Sequence, residues 1–203
     1  MAETTHALLV QAEGDASEQP HIAANIAAAV RRHSSAAIAR VHVVQTSAQR
    51  LLYVYVHFEQ PQAMVAEMCG AFDAALAAKL PRLRQVHASR LQRAFDIAGA
   101  STGANPKFHY VVEMAPEVNW GEQLFEWYDV EHMPGLAAVP GCIHAWRYLN
   151  LDHGPLSHAC YALVTAEAKG SPPWMAITDT AWSSRMRPHF TQTKRTMFDV
   201  VQG

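Results

Sequence analysis

Apolar and polar positions follow one order of spacings twice along the chain. Residues 5–12 (THALLVQA), 38–46 (IARVHVVQT) and 51–59 (LLYVYVHFE) are β-branched, aromatic and strand-like. Residues 18–32 form an alanine-rich helix, with Ser17 placed to cap it. The polar link 47–50 suits a hairpin. A second helix is predicted over 61–79, with Pro61 in its first turn, and a fourth strand over 86–95. After a stretch of small residues and turn formers, 99–106 (GASTGANP), the order repeats. It runs strand 108–114, helix 119–133 with Asn119 as cap, strands 142–150 and 157–165 around a turn at 152–155, helix 172–186 and strand 193–200.

Each half reads β-α-β-β-α-β, which predicts an α+β fold: a four-stranded antiparallel sheet with both helices on one face. Residues recur at a common offset. His6-Ala-Leu-Leu matches His109-Tyr-Val-Val, and Phe95 and Asp96 match Phe198 and Asp199, all 103 positions apart. Two tandem units, 1–99 and 107–203, follow from this, although chance similarity of two amphipathic segments gives the same short matches. Each unit leaves one apolar sheet face bare, so the two sheets are expected to pack into an α+β barrel within one chain, or between two chains.

Composition narrows the function. With 16 basic and 18 acidic residues the net charge is −2, which argues against a nucleic-acid partner. No apolar run reaches a membrane span, no basic-then-apolar leader is visible, and three cysteines without metal spacing suit a reducing, cytoplasmic setting. The 12 histidines form no HxH or HxxxH pair, so no metal site is expected. Cys142 and Cys160 are expected as neighbours across their hairpin. No phosphate loop, GxSxG or nucleotide fingerprint is present. All five tryptophans, Trp120, Trp127, Trp146, Trp174 and Trp182, lie in the second half.

The densest chemistry is at 124–142. On a helix Tyr128 and His132 share a face. Pro134 is expected to end the helix near Met133, leaving His132 in the last turn, where the helix dipole, Asp129 and Glu131 favour imidazolium. A histidine beside a phenol suits acid/base chemistry, and equally a core tyrosine with a capping histidine. On the strand 142–150, period two groups His144, Trp146 and Tyr148 on one face, which either lines an aromatic pocket or packs on the helices. Arg147 offers an oxyanion or carboxylate contact or an exposed salt bridge. Trp120, Trp174 and Trp182 are wall or core. His189 reads as a loop residue, and nothing selects it or His158 as a haem ligand.

The run Trp127-Tyr128…His132-x-Pro134…Val139-Pro140-Gly141…Arg147-Tyr148 resembles the motif of EthD-type proteins in the dimeric α+β barrel superfamily. The match covers roughly 125–148, and the helix of the first half lacks it, so one working site is implied in place of two. The resemblance implies a ferredoxin-like fold with a cavity between sheet and helices. It carries His132 and Tyr128 over as catalytic residues, with Trp127, His144, Trp146, Arg147, Tyr148, Trp120, Trp174 and Trp182 around an aromatic or polyketide-like substrate. Cofactor-independent cyclisation, isomerisation, dehydration, elimination or decarboxylation is the leading function. A cofactor-free monooxygenase, a haem enzyme of the same fold and a non-catalytic binding protein are the alternatives.

Overall fold

The computed structural model describes residues 1–18, 21–46, 48 and 50–201. Its strands are β1 (Glu3–Glu13), β2 (Ile38–Gln45), β3 (Leu51–Met64), β4 (Arg84–Ala98), β5 (Phe108–Pro116), β6 (Cys142–Asn150), β7 (Ser157–Leu163) and β8 (Phe190–Val200). Its helices are α1 (Ile22–His33), α2 (Glu67–Lys79), α3 (Gly121–Trp127), α4 (Met133–Ala137), α5 (Pro172–Thr178) and α6 (Ala181–Met186), with a π turn, Tyr128–His132, joining α3 to α4. Two compact units emerge. The first is Met1–Arg93 with Asn150–His153 and Phe198–Gly203; the second is Ala94–Leu149 with Gly154–Met197.

The expected α+β class is observed in both units. In the first, the strands lie in the order β4-β1-β3-β2, antiparallel at each step, and the last residues of β8 pair with β2, Val44 opposite Val200. In the second, the order is β8-β5-β7-β6. Counted within each unit, the fourth strand lies beside the first, then come the third and the second, which is the ferredoxin-like arrangement. Alternation explains the cores. Leu8, Val10, Val54 and Val56 project from one side of the first sheet onto Ile26 and Val30 of α1 and Phe72 and Leu76 of α2. Tyr110, Val112, Tyr161 and Leu163 do the same for α3 to α6 in the second. A buried ion pair completes the first unit: Arg90 Nη2 donates to Asp152 at 2.7 Å, and the Cys69 thiol donates to the same carboxylate at 3.4 Å. Burial and this carboxylate push the thiol up to about 12, so Cys69 is inert.

Several local expectations are corrected. Ser17 caps no helix; its N–H donates to Asp15 in a 3₁₀ turn, and α1 starts at Ile22 behind His21 in the left-handed region. Residues 19 and 20 of the expected helix, and 47 and 49 of the hairpin link, lie outside the described residues. Pro61 starts no helix. It lies inside β3 where the pairing with β1 shifts between Thr5 and Ala7, a bulge that spares the missing N–H. Asn119 is no cap: its φ of 71° turns the chain, and α3 follows Trp120. The helix expected over 172–186 is two, because Ser171 and Thr180 each cap a separate start, accepting from Trp174 N–H and Ser183 N–H. Cys142 lies opposite Leu163 and Cys160 opposite Trp146, so the two thiols do not face each other.

Candidate active site

The helix carrying the motif does not stop before Pro134. Tyr128 N–H still bonds to Leu124 O, four residues back, but Met133 N–H bonds to Tyr128 O, five back. This wider turn absorbs the proline, which has no N–H to donate, and α4 continues to Ala137. His132 is therefore mid-helix, and the expected pull of a helix C-terminus is absent. The acids that were expected to charge it are engaged elsewhere. Asp129 binds Arg147 Nη2 through both oxygens, at 2.7 and 2.9 Å. Glu131 Oε1 accepts from Trp127 Nε1 at 3.2 Å and Thr180 Oγ1 at 2.7 Å. Burial, and then the Arg187 charge, hold the imidazole down to about 3, so His132 is neutral where the sequence predicted imidazolium.

His132 lines a cavity of about 280 Å³ wholly within the second unit. Its ring packs against Trp127 at 4.2 Å between centroids and meets Tyr128 edge-on at 5.5 Å. Its Nδ1 is buried without a hydrogen-bond partner. Tyr110 and Tyr161 face each other across β5 and β7, and Trp174 of α5 stands edge-on to both, at 6.0 and 5.3 Å. Tyr161 O–H donates to Met133 Sδ at 3.0 Å. Burial raises the phenols of Tyr110, Tyr128 and Tyr161 above their usual range, so all three are neutral donors. Gly135 lets α4 approach α5: a Cβ there would stand 2.8 Å from Ile177 Cγ2.

Of the residues singled out from sequence, Trp127, Tyr128, His132 and Trp174 line this cavity. The others do not. Arg147 is buried against the helix side, its guanidinium 4.5 Å from the Phe125 ring and 5.6 Å from the Tyr128 ring, so it backs Tyr128 and is not an exposed salt bridge. His144, Trp146 and Tyr148 alternate with it onto the opposite sheet face and neither line this cavity nor pack on the helices. There His144 Nε2 lies 3.0 Å from Asp96 Oδ1, and Trp146 stands edge-on to His144 and near His109. Trp120 stacks on His189, whose Nδ1 is 2.7 Å from Glu117. Trp182 packs half-buried on the core. Sequence reasoning missed Tyr110, Tyr161, Lys169, Arg187, Phe190 and Arg195. Alternation could have found the tyrosines, which share the faces of β5 and β7 that carry Val112 and Leu163.

Among the described residues no group of three or more His, Cys, Asp and Glu could hold a metal ion. A haem macrocycle with its propionates is larger than this cavity of about 280 Å³. Among the described residues no helix is long and apolar enough to cross a membrane.

No family model matches the sequence, and no curated protein matches it. Solved structures do. An anthrone oxidase-like protein aligns over 98% of this chain and 92% of its own, with TM-score 0.59 and 12% identity. A chlorite dismutase from Candidatus Nitrospira defluvii aligns over 98% and 92%, with TM-score 0.61 and 11% identity. A ferredoxin-fold protein from Listeria monocytogenes, related to antibiotic biosynthesis monooxygenases, aligns over 99% and 97%, with TM-score 0.55 and 7% identity. The chain shares their ferredoxin-like α+β fold. At these identities the likeness is one of fold alone.

Proposed function

We propose that the cavity of the second unit binds a small aromatic or polyketide-like molecule and moves a proton on it without a cofactor, as in an isomerisation, dehydration, elimination, decarboxylation or cyclisation. The observation that carries this is the neutral His132 imidazole in the wall of an aromatic cavity, edge-on to the Tyr128 ring. A neutral imidazole lining the cavity has one ring nitrogen free to take a proton from a bound acidic group and return it. Tyr128 is the neutral phenol beside it, suited to donate to the oxyanion that forms as the proton leaves. Trp127 and Trp174 hold the ring, and Arg147 positions Tyr128 from behind.

The shared strand order supports reading 1–99 and 107–203 as two copies of one unit, of which the second kept the EthD-like motif. The fold neighbours include an anthrone oxidase-like protein and a relative of antibiotic biosynthesis monooxygenases. An enolate or phenolate made by His132 is also the species that reacts with oxygen, so the test follows both fates. Solvent-deuterium exchange and oxygen uptake are measured on enolisable aryl ketones and phenols that bind the protein. Wild type exchanges deuterium into the ligand; His132→Gln loses at least a hundredfold in rate while Kd changes less than threefold. Oxygen uptake in step with exchange assigns the oxygenase branch. Binding without exchange leaves a carrier protein and overturns the catalytic reading.

A further inference from the structure

The charge of the cavity wall narrows the ligand. Among the residues lining the cavity, Lys169, Arg187 and Arg195 are basic and none is Asp or Glu. The whole chain is slightly acidic, so this is a local excess. The charges and the rings are also segregated by depth. Lys169, Arg187 and Arg195 are exposed, whereas Tyr110, Trp127, Tyr128, Tyr161 and Trp174 are buried to 5% exposure or less. The cavity therefore has an aromatic floor and a cationic mouth. Lys169 Nζ stands 5.2 Å from the Tyr110 ring centroid, bridging the two zones. The nearest acid to Arg187 is Asp179 at 3.8 Å, a long and solvent-exposed pair that competes weakly with a ligand. The field of the mouth reaches the floor: Arg187 lowers His132, and Arg195 lowers both Tyr110 and Tyr128 against the effect of burial.

We infer that the ligand is a small aromatic carboxylate, seated ring-first on the floor with its carboxylate held at the mouth by Arg187 and Arg195. This rests on the reading of the cavity as the working site and adds the charge and orientation of what enters it. The 280 Å³ have room for a small aromatic molecule of one or two fused rings. Arginine suits the planar, two-oxygen geometry of a carboxylate. The bound anion also offsets the Arg187 charge that weakens His132, so the base strengthens only when a correctly charged substrate is in place.

The test is calorimetric titration of the full chain with 2-naphthoate and with the uncharged 2-naphthamide, which has the same rings. Wild type binds the carboxylate at least about tenfold more tightly, and added salt shrinks that preference. Arg187→Gln/Arg195→Gln abolishes the preference and keeps amide binding. All three cations are exposed, so the variants fold; Lys169→Gln, checked by circular dichroism, gives an independent and smaller loss. Equal or tighter binding of the amide overturns the inference, as does a double variant that keeps the full preference, or no heat with either ligand at millimolar concentration. Naphthoate gives His132 no acidic C–H, so its failure to bind leaves the proton-transfer reading intact. Loss of deuterium exchange with naphthoate binding intact removes only that reading.

Discussion

The two units arrange their strands in the same order and differ in what covers them. In the first, α1 and α2 are unbroken helices of 12 and 13 residues, and Ile26, Val30, Phe72 and Leu76 between helix and sheet are each at most 1% exposed. In the second, the first cover is bent at a π turn and the second is split at Thr180 into α5 and α6, of 7 and 6 residues. The rings that line the cavity lie on these interrupted helices, Trp127 and Tyr128 at the π turn and Trp174 on α5. The covered sheet faces differ in kind as well. Tyr110 and Tyr161 stand there in the second unit, and the aliphatic Leu8 and Val54 in the first.

The contrast can be broken hardest at the buried ion pair. Removing one partner with Asp152→Ala strands the Arg90 guanidinium, 5% exposed, and is expected to cost about 3–5 kcal/mol in urea unfolding. A loss within 1 kcal/mol would show that water reaches Arg90. A matched pair of ring deletions comes next. Phe72→Ala, in the core of the first unit, is expected to cost about 3–5 kcal/mol. Trp174→Ala, beside space that already exists, is expected to cost less despite the larger ring, and to enlarge the cavity so that bulkier aromatics bind. Equal costs would mean that the cavity collapses around the deletion.

Acid separates the units less sharply. His132 in the second is held to about 3 and His42 in the first to about 4, both by burial first. Each is protonated in the unfolded chain below about 6.5 and stays neutral in the folded one. The unfolded state therefore binds more protons in that window, and stability falls as pH drops from about 6.5 toward 4. His132→Gln should flatten that fall; a melting temperature with the same pH slope as wild type would place the lability elsewhere. The smallest effect compares the lead-ins to the first helices, His21 at φ 61° and Asn119 at φ 71°. Glycine tolerates this conformation without strain, so His21→Gly should gain up to about 1 kcal/mol, and Asn119→Gly less, because asparagine is already suited to it. The reverse ranking in thermal melts would refute the strain argument.

Strand alternation was plain along the chain, and all eight strands lie where β-branched and aromatic runs predict them. Helix ends were not. Pro61 and Pro134 carry local signals for a helix start and a helix stop, yet one lies in a strand bulge and the other follows a π turn. In both places the neighbouring backbone supplies the geometry a proline needs, and that backbone is set by residues far away in sequence. The pairing of Tyr128 with His132 was visible from their spacing. The sign of the imidazole's shift was not, because Asp129 and Glu131 are acids near His132 in sequence whose hydrogen bonds go to Arg147, Trp127 and Thr180.

The order of strands and helices and the crowding of rings and motif into the second half follow from the sequence by itself, since they depend on spacing and on residue type. Tertiary structure decided which rings meet, that His132 is neutral, and that its neighbours at the mouth are cations. Those properties depend on desolvation and on distances between side chains as far apart along the chain as His132 and Arg187, which only the folded chain brings to one cavity.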